Sequence, residues 1–197
     1  MSTPDNERDD ERKGNRLSKI VTRTGDAGTT GLGDGTRTTK DSLRIDAIGE
    51  TDELNSTIGL LLCEELPEAI RTALLDIQHD LFDLGADLCR PEMAKDAEAG
   101  YPVLRMIASQ VERLEAEIDA MNAPLAALRS FILPGGTPLA AYLHLCRTVS
   151  RRAERMTVEL ATMEEGGHQW LLGISARARH PPATARRGDT ARPPPGP

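Results

Sequence analysis

The sequence predicts an all-α protein, an up-and-down bundle of four clear helices, from three observations. Apolar residues recur at intervals of three and four over most of the chain. Prolines and glycines separate these periodic segments, and the connections between them are short or modest in length. Alternation of apolar and polar residues does not compete with the helical pattern, so strands should be few. A length of 197 residues suits one domain.

The first two helices are predicted from about residue 42 to Pro91. The apolar stripe of the first helix comprises Ile48, Leu54, Ile58, Leu61 and Leu62. Pro67 lies near the start of the second helix, where its missing N–H does no harm. Alternating steps of four and three then form the seam of the second helix, at Ile70, Leu74, Ile77, Leu81, Leu84 and Leu88.

The third helix is predicted to begin near Pro102, and the fourth to cover residues 137–163. The third helix repeats the same spacing at Leu104, Ile107, Val111, Leu114, Ile118 and Met121. The inner face of the fourth comprises Leu139, Leu143, Cys146, Val149, Ala153, Met156 and Leu160. Four amphipathic helices of this kind predict a bundle with an aliphatic core, since aromatic residues make up only 3% of the chain.

Composition and charge exclude several classes of function. The formal net charge of −7 argues against a general nucleic-acid binder. No run of 18 apolar residues is present, so neither a transmembrane helix nor a membrane partner is expected. The first residues are charged and polar, unlike a secretory signal, and we expect a cytoplasmic protein. The three cysteines have no CxxC spacing and are expected to be buried thiols rather than metal ligands.

Changes in composition divide the chain into three parts. Residues 1–18 are charged and polar and are predicted to form a disordered N-terminal tail. Residues 19–165 contain the helical-bundle domain. Residues 166–197 are rich in proline, alanine and arginine without a period, and are predicted to form an atypical, disordered C-terminal tail.

A segment rich in glycine and threonine precedes the first helix. Residues 22–35 read TRTGDAGTTGLGDG, and Lys40 follows shortly after. Glycines let the backbone approach an anion without a Cβ in the way, and consecutive N–H groups form anion-binding nests. The segment is neither a Walker A motif nor a dinucleotide-binding fingerprint. Its residues alone favour a polyphosphate site and a flexible surface loop about equally.

Arginines cluster on the predicted fourth helix. Arg147, Arg151 and Arg155 follow at steps of four and share one face, and Arg152 lies next to that face. Alone, this pattern favours a solvated basic stripe. Together with the Gly/Thr segment it indicates an enzyme that holds a nucleoside triphosphate at one end of the bundle, because guanidinium groups suit phosphate oxygens. Asp52 is either a helix-start charge or a carboxylate that orders an arginine or the substrate.

These segments together resemble the PduO-type ATP:cob(I)alamin adenosyltransferases. The resemblance covers about residues 19–159 and rests on TRTGDAGTTGLGDG, Lys40, AIGETDELNSTIG, FILPGG and LHLCRTVSRRAER, in that order. It implies a five-helix bundle that forms homotrimers, with active sites between subunits. It also implies transfer of the adenosyl group of ATP to Co(I) of a reduced corrinoid (cobalamin), with release of triphosphate.

The resemblance also implies roles for individual residues. ATP would be bound by Thr22, Arg23, Thr24, Gly25, Asp26, Gly28, Thr29, Thr30, Lys40, Arg151, Arg152, Glu154 and Arg155. Asp52 would pair with Arg147 across the subunit boundary, and these two residues with Arg151 would be the catalytic ones. Phe131 would press on the lower face of the corrinoid and displace its axial ligand. Mg²⁺ would accompany ATP with no side chain assigned to the metal, and a corrinoid reductase would be a partner.

The chain departs from the family pattern after the fourth helix. The family continues into a fifth helix with an asparagine in a YLNRLSD-like motif, whereas residues 168–182 read HQWLLGISARARHPP. Neither the motif nor the helix is predicted here. A non-catalytic corrinoid or nucleotide binder is therefore the alternative to an active enzyme, and a purely structural helical oligomer is a third hypothesis.

Overall fold

The computed structural model describes residue 21, residues 23–127 and residues 130–163. Thr22 and both predicted tails lie outside these residues, as does the region where the family has its fifth helix. The described residues form four α-helices, which confirms the predicted all-α bundle. The helices are α1 (Leu43–Leu61), α2 (Glu68–Leu88), α3 (Ala108–Asn122) and α4 (Pro138–Met163), with a 3₁₀ helix over Met93–Glu98.

Helices α1 and α2 are antiparallel neighbours. At one end the buried guanidinium of Arg44 donates a hydrogen bond to the carbonyl of Leu88. At the other end Arg71 Nη1 donates to the carbonyl of Leu62 at 3.1 Å. Helix α4 packs along α1, so α1 lies between α2 and α4. The start of α1 and the end of α2 consequently share one end of the bundle.

Most of the core comes from predicted seam positions, and Ala47 and Met106 join it. Most of these side chains are buried, and the apolar area removed from water stabilises the bundle by roughly 25 cal/mol per Å². The buried members are Leu54, Ile58, Leu61, Leu74, Leu81, Leu84, Leu88, Val111, Leu114, Leu143, Cys146, Val149, Ala153 and Leu160.

Helix α3 begins later than the sequence predicts, at Ala108 rather than near Pro102. Arg105 and Met106 are held in the preceding segment by Asp87 of α2, which accepts hydrogen bonds from the Arg105 side chain and from the Met106 amide at 2.9 Å. Gln110 Oε1 then accepts from the Ile107 amide at 3.0 Å and caps the helix. The helical spacing at Leu104 and Ile107 was therefore misleading, and both side chains are exposed.

The Gly/Thr segment contains a short β-hairpin where the sequence predicts a loop. Strand β1 (Thr29–Gly31) pairs antiparallel with β2 (Arg37–Thr39), and Thr30 lies opposite Thr38. Gly35 in the connecting turn has φ of 85°, a conformation that favours glycine. The hairpin leads through Ser42 directly into α1.

Candidate active site

Arg37 braces the hairpin from within. Its Nη2 atom donates to the carbonyl of Thr24 at 2.9 Å and to the hydroxyl oxygen of Thr29 at 2.7 Å. Arg37 belongs to β2, so these bonds attach the predicted triphosphate-binding residues Thr24 and Thr29 to that strand. Sequence reasoning missed Arg37, although the threonine pairs on either side of the GLGDG turn are a recognisable hairpin signal.

The Lys40 side chain lies directly over Gly25. A Cβ atom placed on Gly25 would stand 3.1 Å from Lys40 Nζ and 3.0 Å from the carbonyl oxygen of Thr29. The Lys40 amide also donates to the carbonyl of Gly28 at 2.9 Å, and Gly28 has φ of 81°. The fold thus brings together Gly25, Gly28, Thr29 and Lys40, all predicted from the sequence as ATP-binding residues.

The remaining predicted residues of this segment lie at its surface. Arg23 has φ of 60°, an uncommon value for a side chain with a Cβ, and its carbonyl accepts a turn hydrogen bond from the Asp26 amide at 3.4 Å. Arg23, Thr24 and Asp26 are exposed, and Thr30 is half-buried. Exposed cationic and hydroxyl groups around a glycine turn are accessible to an anionic ligand.

Arg152 of α4 is bound to two carboxylates of α1. Its Nε lies 2.5 Å from Glu50 Oε2, and its Nη2 donates to Glu53. These ion pairs join the surfaces of α4 and α1 and balance much of the Arg152 charge. Since Glu50 lies seven positions after Leu43, Arg152 is held about 10 Å along the axis from the start of α1.

The other arginines of α4 differ from Arg152. Arg151 and Arg155 are exposed and Arg147 is half-buried. Arg155 Nη1 donates to the Arg151 carbonyl at 3.3 Å, while among the described residues neither Arg147 nor Arg151 has a carboxylate partner. The exposed guanidinium groups of Arg151 and Arg155 can be reached by an anion at the surface of the described bundle. Glu154, half-buried on the same helix, completes the predicted group.

Asp52 is exposed on α1. In the described part of a single chain no ion pair joins Asp52 to Arg147. Their pairing across a subunit boundary therefore stays a prediction.

The connection before α4 exposes two large apolar side chains. Phe131 is fully exposed and Leu133 is 86% exposed. Gly136 follows with φ of 108°, and the Thr137 hydroxyl accepts from the Ala140 amide at 3.3 Å at the start of α4. Neighbouring apolar side chains that remain in water indicate a surface that an apolar ligand or another chain covers.

None of the described helices contains a window long and apolar enough to cross a membrane. Within residues 21–163, apart from the three undescribed positions, no cluster of three or more His, Cys, Asp or Glu side chains is arranged to hold a metal ion.

Comparison with known proteins identifies the family. A family model described as cobalamin adenosyltransferase matches residues 20–174. The chain belongs to the cobalamin adenosyltransferase family. This membership confirms the resemblance that the ordered motifs indicate, and it covers both the Gly/Thr segment and the arginines of α4.

Matches to curated members of the cobalamin adenosyltransferase family extend over most of the chain. A cobalamin adenosyltransferase of Cupriavidus metallidurans is 58% identical over 166 residues, which covers 82% of this chain and 85% of the relative. A corrinoid adenosyltransferase of Bacillus subtilis is 46% identical over 75% of this chain and 74% of its own length.

Solved structures of the family share the fold. A phenylalanine-to-alanine variant of a PduO-type ATP:corrinoid adenosyltransferase from Lactobacillus reuteri, complexed with cobalamin and ATP, has a TM-score of 0.75. It is 34% identical in sequence, and the match covers 85% of this chain and 92% of that one. An arginine-to-lysine variant complexed with ATP has a TM-score of 0.73 at 35% identity, with the same coverage of both chains.

Proposed function

We infer that this protein transfers the 5′-deoxyadenosyl group of ATP to the cobalt of cob(I)alamin or a related corrinoid, with release of triphosphate. The inference is carried by membership of this family, together with two features of its predicted site: Lys40 is held over Gly25 just before α1, and Arg152 of α4 pairs with Glu50 of α1. A structural oligomer without a ligand would not require cations both beside the glycine turn and on the surface of α4.

The reaction requires positioning more than side-chain chemistry. Co(I) supplies the electron pair that forms the Co–C bond to C5′ of ATP and is thereby oxidised to Co(III). The C5′–O bond breaks, and its electron pair leaves with triphosphate. No Ser, Cys or His nucleophile is needed, and correct positioning supplies roughly 7–11 kcal/mol of such a barrier. Preorganised cations and amides stabilise the charge that develops on the leaving group.

We assign the triphosphate to the Gly/Thr segment and to the exposed arginines of α4, Arg151 and Arg155. Lys40 and the amides around Gly25 and Gly28 would bind from one side, and Arg151 with Arg155 from the other. Arg152, already bound to two carboxylates, would position α4 and contribute less charge to ATP. Mg²⁺ would enter with ATP, bound through phosphate oxygens and water as this cation usually is.

We propose that the active unit is a homotrimer with sites between subunits. Asp52 and Arg147, unpaired with each other within one chain, would pair across the boundary. Phe131, fully exposed here, would contact the lower face of the corrinoid and keep an axial ligand away from cobalt. A corrinoid reductase would supply Co(I), and a cytoplasmic location suits that partner.

The test is formation of the Co–C bond. Purified protein is mixed with ATP, Mg²⁺ and chemically reduced cobalamin, and the corrin absorption spectrum is followed. We expect adenosylcobalamin to form, and Arg151→Ala to lower kcat/KM for ATP at least tenfold because a charge-assisted bond to phosphate is lost. Arg71→Ala is the control, since Arg71 binds the Leu62 and Glu64 carbonyls at the opposite end of the bundle.

The outcomes separate the hypotheses. Binding of ATP or cobalamin without a new Co–C bond would favour the non-catalytic binder. Unchanged nucleotide affinity in folded Arg151→Ala would show that the phosphate assignment is wrong.

A further inference from the structure

The tip of the hairpin is docked on the carboxyl end of α2. The amide of Gly33 donates to the carbonyl of Cys89 at 2.8 Å, and Arg90 Nη1 donates to the carbonyl of Gly33 at 3.2 Å. A Cβ atom on Gly33 would lie 3.4 Å from the Cys89 carbonyl oxygen, so the approach is close. Both backbone polar groups of Gly33 are therefore used to attach the turn to α2.

Arg90 is held in place by the segment between α2 and α3. The residue is only 9% exposed. Its Nε lies 3.0 Å from Asp96 Oδ1, its Nη1 donates to the Tyr101 hydroxyl at 3.1 Å, and its guanidinium carbon lies 5.8 Å from the centre of the Tyr101 ring. With three sets of contacts, the guanidinium has little freedom to leave Gly33.

Arg105 strengthens this arrangement. It binds the other oxygen of Asp96 at 2.8 Å and Asp87 Oδ1 at 2.5 Å, and it donates to the Arg90 carbonyl at 2.9 Å. Since Asp87 belongs to α2, the network connects the helix, the 3₁₀ segment and the hairpin tip. The charged side chains of this network hold Arg90 in contact with the Gly33 carbonyl.

We propose that Arg90 is a positioning residue for the nucleotide site, which it serves by fixing the hairpin tip to α2. The hairpin carries Thr29 and Thr30 on one arm and leads to Lys40 on the other, so the position of the turn sets both arms. A displacement of about 1 Å at a binding group is enough to reduce catalysis. The proposal rests on the proposed function, since it presumes that the hairpin binds the triphosphate.

The test is Arg90→Met, which keeps the aliphatic stem and removes the donors. We expect KM for ATP to rise about five- to tenfold, with KM for the corrinoid changed less than twofold. Arg90→Lys should restore part of the affinity, because an ammonium group still donates to the Gly33 carbonyl. Asp96→Asn keeps both arginines, loosens Arg90 and should raise KM for ATP by a smaller factor.

Arg113→Met is the matched control. Arg113 of α3 pairs with Asp80 of α2 and with Glu117 of its own helix, and neither of these ion pairs within the described residues involves the hairpin. An equal rise in KM for ATP in Arg90→Met and Arg113→Met would overturn the proposal, as would an unchanged KM in a folded Arg90→Met. The Arg151→Ala result is separate: if that variant loses ATP affinity while the Arg90 variants do not, only the positioning role fails.

Discussion

Arg152 Nε of α4 lies 2.5 Å from Glu50 Oε2 of α1, across 102 positions of the chain. The Glu50 side chain is 21% exposed and that of Arg152 is 39% exposed. The pair is therefore shielded from water on the α1 side and open on the other. Arg147, Arg151 and Arg155 lie on the same helix as Arg152. A shift of α4 along α1 would therefore move these predicted site residues as well.

Removal of this pair should weaken the contact between α1 and α4 modestly. We expect Arg152→Met to lower the free energy of unfolding by about 0.5–1 kcal/mol, since the partly exposed pair is screened by solvent. Urea denaturation of the wild type, Arg152→Met, Glu50→Gln and the double variant measures the coupling. Glu53→Gln is the control and should have a smaller effect, because Glu53 is more exposed. Additive effects of Arg152→Met and Glu50→Gln would show that the pair contributes nothing.

Gly25→Ala should impair ATP binding by displacing Lys40. The added Cβ would meet Lys40 Nζ at 3.1 Å and the Thr29 carbonyl oxygen at 3.0 Å, so the lysine must move. We expect kcat/KM for ATP to fall about tenfold, which corresponds to about 1.4 kcal/mol. Steady-state kinetics with varied ATP at saturating corrinoid gives the measurement.

Gly85→Ala is the matched control for that substitution. Gly85 lies in α2, and its added Cβ would meet nothing within 4 Å. Alanine in a helix is favoured over glycine by roughly 0.5–1 kcal/mol, so this variant should be slightly more stable and fully active. Equal activity of Gly25→Ala and Gly85→Ala would show that the position of Lys40 does not matter for ATP.

The bundle could be predicted because an amphipathic helix shows itself in the local spacing of apolar residues. The seam of α2 could be read from apolar residues three and four positions apart, and Leu81 and Leu84 are buried as that spacing requires. The start of α3 could not be read in this way. It depends on Asp87, which lies 18 and 19 positions before the groups that it binds, Arg105 and the Met106 amide.

In the candidate site too, residues marked by local sequence could be predicted, whereas residues that act through long-range contacts could not. Gly25 and Lys40 were found because residue types suited to phosphate occur together in a short segment. Arg90 was not found because its contact with Gly33 spans 57 positions, and an arginine after a helix carries no signal of its own. Long-range contacts that brace a loop become visible only when the fold is known.

Asp96 should make stability depend on pH under acid conditions. Hydrogen bonds from Arg105 and then Arg90 lower the pKa of Asp96 from 3.8 to about 2. A lowered carboxyl pKa stabilises the folded state above the unfolded value, and this stabilisation is lost as the pH falls from about 4 to about 2. We expect wild type to be more stable than Asp96→Asn at pH 6, with the difference shrinking towards pH 2. Urea midpoints at pH 6, 4, 3 and 2 check this, and a constant difference would contradict the assignment.

Cys146 should be chemically inert in the folded protein. Burial in the bundle raises the pKa of its thiol to about 11, so very little thiolate exists at pH 8 and reagents cannot reach it. Cys63 lies just after α1 and is exposed, so the prediction of a buried thiol is wrong at this position. With iodoacetamide at pH 8, we expect Cys63 to be modified first, with Cys146 modified only after urea unfolds the chain; peptide mass spectrometry identifies the sites. Cys63→Ser should remove the fast phase and leave the protection of Cys146 unchanged. Rapid modification of Cys146 without denaturant would mean that the helices separate readily around it.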